Sequence, residues 1–188
     1  MTEPLATYHI ERSGFFTPRF ALSGPDGPLG VLQLERKRLV VSGATFRPEK
    51  GEVIHIRRDP GLLRAQFSMW TEAREWLGSS LRWSFFARPV TLHTGTKPQQ
   101  LVPLPSFGPG WRLMAPKTGE NARLTSDLFG RRAKLDVFRR LDLEVILLAT
   151  FLGALMHWEL LWPAPTEHTA EETAHPPPHA PGGQASQA

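Results

Sequence analysis

One segment limits what this chain can fold into more than any other. Leu141–Trp162 reads LDLEVILLATFLGALMHWELLW, and from Val145 to Trp158 no side chain is charged. A helix that is apolar on every side has to be enclosed, either by protein or by lipid. Asp142 and Glu144 fall in its first turn, where the helix dipole favours negative charge. Gly153 in its middle lowers helix propensity and marks a point of close packing. The uncharged run makes only about 21 Å of helix, whereas a hydrocarbon core takes about 20 apolar residues. The expectation is therefore a buried core helix over 141–162. The alternative is a tail-anchored, single-pass membrane protein, with Trp158 and Trp162 at the interface and the upstream bases obeying the positive-inside tendency.

The chain before this segment has the opposite character. Short apolar runs are cut by glycine and proline, which number 16 and 18 over the whole chain. Phe20-Ala-Leu22 runs into Gly24-Pro-Asp-Gly-Pro28, a strong turn signal, and then Leu29–Leu34, so this stretch reads as a hairpin. Further strand candidates are Leu39–Val41, Val53–Ile56, Leu81–Phe86, Val90–Thr94, Leu101–Leu104, Trp111–Met114 and Ala133–Val137. A short helix is expected at Thr71–Leu77. Closely spaced strands without strand–helix alternation point to an antiparallel sandwich or barrel and not to a doubly wound sheet. Residues 1–18 read as an irregular lead-in, 19–162 as the folded domain, and 163–188, rich in proline, as a disordered acidic tail.

Charge is distributed unevenly. All 22 Lys and Arg precede residue 163, while three of the 18 acids follow it, which leaves the body at +7 and the tail at −3. A body of that sign attracts anionic partners. The N-terminus shows neither a basic start nor an apolar run, so a cytoplasmic location is expected, peripheral at a membrane where lipid is the partner. Thr2 in place of glycine excludes N-myristoylation.

The absence of cysteine excludes a disulfide scaffold, a thiol nucleophile and a Cys-ligated metal. No nucleophile-elbow, P-loop or dinucleotide-binding motif occurs. Glu72 with Glu75 reads as a solvated face, and Asp142 with Glu144 as helix-dipole partners. His168, His175 and His179 in the tail lack a rigid frame for a metal. His55 and His93 lie in strand candidates and His157 in the apolar helix. No nucleophile–base–orienter set is present, so the expectation is a non-enzymatic protein without metal, cofactor or small-molecule substrate.

Several stretches resemble a known family. Leu141-Asp-Leu-Glu-Val145, Ala149 and Gly153-Ala154 are similar to the stretch that opens the C-terminal helix of phospholipid scramblases. Phe20-Ala-Leu22, Asp26-Gly27 and Leu32–Arg36 resemble that family's first hairpin. The resemblance implies the fold shared with tubby C-terminal domains and LURP-one-related proteins: a closed antiparallel tubby-like β-barrel of about twelve strands around a hydrophobic C-terminal helix. The departures matter as much. Where scramblases carry an acidic calcium-binding segment, this chain has Arg131–Arg140 with five bases and one acid, and calcium needs several anionic oxygens. Calcium-activated scrambling is not carried over.

Basic clusters remain as candidate sites. Arg36, Lys37, Arg38, Arg131, Arg132, Arg139 and Arg140 are the residues expected to contact anionic phospholipid headgroups, provided that they meet at one end of the barrel. Arg57-Arg58 is a further pair. Nucleic acid ranks below a lipid or protein partner, because Arg82-Trp83 and Trp111-Arg112 are the only neighbouring Trp–Arg pairs and base stacking needs aromatics interleaved with bases on one face.

Overall fold

In the computed structural model, residues 3–14, 17–37, 40–59, 66–81, 89–95, 97–104, 110–127 and 131–161 are described, with side chains through Leu155. They form twelve strands and one helix: β1 Ala6–Ser13, β2 Arg19–Gly24, β3 Gly27–Lys37, β4 Val40–Pro48, β5 Ile54–Arg58, β6 Phe67–Thr71, β7 Trp76–Leu81, β8 Val90–His93, β9 Gln99–Pro103, β10 Gly110–Ala115, β11 Gly119–Ser126, β12 Arg132–Val137 and α1 Leu143–Leu161. Each strand pairs antiparallel with its neighbours in sequence, and β1 pairs with β12, so the sheet closes on itself. Closure removes the unpaired edge that an open sheet would expose.

The period of two along each strand sorts side chains to the inside or outside. Ile10, Phe20, Leu22, Leu32, Leu34, Phe46, Ile56, Met69, Leu92, Leu101, Leu113 and Leu135 are buried and belong to one core cluster with the helix. Their outward neighbours are mixed, polar at Arg19, Gln33 and Arg112 but apolar at Ala21, Val31 and Trp70. A barrel of this width leaves a lumen, and α1 fills it. Every residue from Val145 to Gly153 is buried, whichever way it points around the helix. Phe151 meets Phe67 edge to face with ring centroids 4.8 Å apart. Gly153 lies so close to Leu124 of β11 that any Cβ there would collide with it. That explains a glycine in mid-helix despite its poor helix propensity. Backbone N–H groups of Val145 and Ile146 donate to the Asp142 carbonyl, which caps the helix start. No helix among the described residues is long and apolar enough to cross a membrane. In this structure the apolar side chains of α1 from Val145 to Leu152, and Leu155, are buried within the barrel.

Two expectations change. Residues 6–13 are not part of an irregular lead-in. They form β1, which pairs with β2 and β12 and completes the barrel. The expected helix at Thr71–Leu77 is the β6–β7 turn. Trp70 pairs with Trp76, Arg74 takes a positive φ of 67°, and the Thr71 N–H donates to the Glu75 carbonyl at 2.9 Å. Strand pairing on both sides overrides the helical propensity of Glu-Ala-Arg-Glu. Of the strand expected at Leu81–Phe86, Leu81 belongs to β7 and the rest lies outside the described residues. The expected tail over 163–188 lies outside the described residues, as does Trp162.

Candidate anion-binding end of the barrel

The antiparallel topology gives the barrel two distinct ends. α1 follows β12 and enters at one end, here the entry end, which also holds the starts of β1, β3, β5, β7, β9 and β11. It runs towards the other, the exit end. Phe151 has already reached the level of Phe67, the first residue of β6.

Strand direction divides the expected site residues between these ends. Arg36 and Lys37 finish β3, Arg132 opens β12 and Arg131 directly precedes it, so all four are at the exit end. Arg139 and Arg140 follow the end of β12 and lie at the entry end. The eight residues from Arg132 to Arg139 are traversed mostly as strand, which separates the two arginine pairs by about 23 Å at 3.3 Å per residue. The single patch of seven bases is therefore corrected to two groups at opposite ends. Arg38 lies outside the described residues.

Register then decides which exit-end bases face the lumen. Paired residues in an antiparallel ladder share a face. Arg12 pairs with the buried Phe20, and Arg36 pairs with the buried Val41 after a bulge at Glu35/Arg36. Arg131 is two residues before Ala133 and four before the buried Leu135, and its carbonyl accepts the Arg12 N–H at 2.7 Å. Arg12, Arg36 and Arg131 thus sit on the inward parity of β1, β3 and β12 at the mouth of the barrel. Burial, and the like charges of Arg36 and Arg131, push the Arg12 guanidinium below its ordinary value. Arg19, Lys37, Arg57, Arg58 and Arg132 stand around this mouth.

The acids of the exit end are engaged in local bonds. Asp127 accepts the backbone N–H of Arg131 at 2.7 Å and of Arg132 at 3.3 Å. Asp59 accepts the Ser68 hydroxyl at 2.6 Å and Glu35 that of Thr45. Glu11 lies 3.9 Å from Arg132 on the outer face, with both side chains exposed. Such a pair contributes little.

The other candidates are dispersed. His55 is half-buried on the outer face, 3.4 Å from the Thr45 hydroxyl, and His93 is exposed at the end of β8. Glu72 and Glu75 belong to the β6–β7 turn, and Asp142 and Glu144 to the start of α1. The tail histidines, the side chain of His157 and Arg82-Trp83 lie outside the described residues.

The sequence reading missed Arg12, because 1–18 was not expected to be strand. The signal is present in the alternation of Ala6, Tyr8, Ile10 and Arg12, which places these four on one face. Comparison of the chain with protein-family models, with curated proteins and with solved structures finds no match.

Proposed function

We propose that the chain is a non-enzymatic binding module that sets the exit end of its barrel against an anionic phospholipid surface. The observation that carries this reading is the convergence of Arg12, Arg36 and Arg131 at the mouth of the barrel, ringed by Arg19, Lys37, Arg57, Arg58 and Arg132. A concentration of positive charge at one end of the barrel attracts anions. Guanidinium is also the side chain best matched to phosphate oxygens. The stretches resembling phospholipid scramblases support the same direction. Arg139 and Arg140 are left out of the lipid-facing set.

Each base brought near an anionic surface contributes roughly 1 kcal/mol, and the attraction decays within a Debye length. Binding is therefore expected to need anionic lipid and to weaken with salt. Co-sedimentation of the protein with phosphatidylserine-containing and with purely phosphatidylcholine vesicles tests this. Salt-sensitive binding to the first and none to the second is expected. Equal binding to both, or binding that high salt leaves unchanged, overturns the reading.

A further inference from the structure

A groove of about 950 Å³ runs over the outer face of β11 and β12 near the entry end, between the N-terminal Glu3-Pro4-Leu5 segment and Thr118 of the β10–β11 turn. It shares no residue with the exit-end mouth. Its volume is that of a small-molecule site.

The charges of the groove separate into satisfied and available ones. Glu120 accepts two hydrogen bonds from Arg123, at 2.7 and 3.0 Å. Asp136 accepts the Thr7 hydroxyl at 2.8 Å and lies 3.0 Å from Lys134 Nζ. Both acids of the floor are thereby committed to neighbours. Arg139 and Arg140 are exposed on the rim, and neither forms an ion pair among the described residues. Four bases, Arg123, Lys134, Arg139 and Arg140, stand against three acids, Glu3, Glu120 and Asp136, for a net charge of +1.

The groove also has an apolar component. Leu5 is 72% exposed, the most exposed of the large apolar side chains among the described residues. It stands there on a fixed backbone, because its N–H donates to the Val137 carbonyl at 2.7 Å. Phe138 lines the groove, with the Arg123 guanidinium 5.9 Å from the centre of its ring.

We infer that this groove binds an amphipathic monocarboxylate, its carboxylate held by Arg139 and Arg140 and its apolar body laid across Leu5 and Phe138. A planar carboxylate matches the guanidinium fork. A net charge of +1 suits a monoanion better than a polyphosphate. An apolar body would cover the one large aliphatic side chain that the fold leaves in water at this edge.

Titration of the full chain with octanoate, followed by NMR of the Leu5 methyls and the Arg123 side-chain N–H, tests the inference, with octanol and acetate as controls. Octanoate is expected to saturate one site and to shift both signals, while octanol and acetate bind at least about tenfold more weakly. Arg139→Gln combined with Arg140→Gln should weaken octanoate about tenfold or more and leave octanol unchanged. Leu5→Ser should weaken octanoate and leave acetate unchanged. These side chains are exposed, so the fold is not at stake. Octanol binding as tightly as octanoate, full octanoate affinity in the double variant, or no saturable shift overturns it. Arg36→Gln with Arg131→Gln should leave octanoate binding intact, which keeps this outcome separate from vesicle binding.

Discussion

The two ends of the barrel are made by the same strands and close differently. At the entry end the chain reverses through the short connections 25–26, 49–53, 72–75 and 116–118. Acids and bases alternate there: Glu49 beside Lys50, Glu72 and Glu75 around Arg74, Asp142 and Glu144 after Arg139 and Arg140. At the exit end arginines gather, with Arg12 and Arg36 half-buried and Arg131 exposed at the mouth. The core does not require this difference. It is satisfied by the apolar inward residues and by α1, and a balanced exit end would serve it equally well. The proposed role in binding an anionic surface supplies a reason for this asymmetry that packing does not.

The sharpest way to break the contrast is to remove what both ends share. Leu148 is fully buried in α1. Leu148→Asp places an unpaired charge inside the barrel at a cost of several kcal/mol, a large part of the stability of a domain this size. Loss of the cooperative thermal transition is expected, with vesicle and octanoate binding lost together. A folded Leu148→Asp protein would mean that α1 does not plug the barrel.

A smaller effect is expected where the helix touches the wall. Gly153→Val drives methyl groups into Leu124, and overpacking of this kind costs about 1–3 kcal/mol. A melting temperature several degrees lower, with the native fold and binding at both ends retained, is the expected result. An unchanged melting temperature contradicts the close approach.

The smallest stability effect has the opposite sign. Burial and the charges of Arg36 and Arg131 lower the folded-state value of Arg12, so the folded state disfavours its charged form. That penalty operates at every pH below the folded value and gives no pH window near neutrality. Arg12→Gln is expected to raise the melting temperature by about 1–2 °C, equally at neutral and mildly alkaline pH, while weakening vesicle binding about fivefold. A lower melting temperature with vesicle affinity unchanged would make Arg12 a structural residue only.

The sequence showed the helix and the barrel class for a physical reason. Fourteen uncharged residues from Val145 to Trp158 admit few fates, and many short strands without helices between them admit few architectures. The strands that escaped notice carry their apolar signal on one face only. In β1 it rests on Tyr8 and Ile10, and in β11 on Ala122 and Leu124, with polar residues between them. β6 and β7 were obscured because helix-forming residues occupy their turn. The basic pairs were also legible, but their position in space was not. Whether Arg131 and Arg139 share an end depends on the direction and length of β12, and Arg12 joins the site only once β1 is known to be a strand.

The central claim is that the exit end, and not the positive charge of the body as a whole, meets the anionic surface. The most direct test compares two double variants that remove the same charge from opposite ends, Arg36→Gln with Arg131→Gln and Arg139→Gln with Arg140→Gln, on phosphatidylserine vesicles at low salt. The exit-end variant is expected to bind about 25-fold more weakly, from roughly 1 kcal/mol per base, and the entry-end variant to stay within about twofold of the unaltered protein. Equal losses in the two variants would contradict the account.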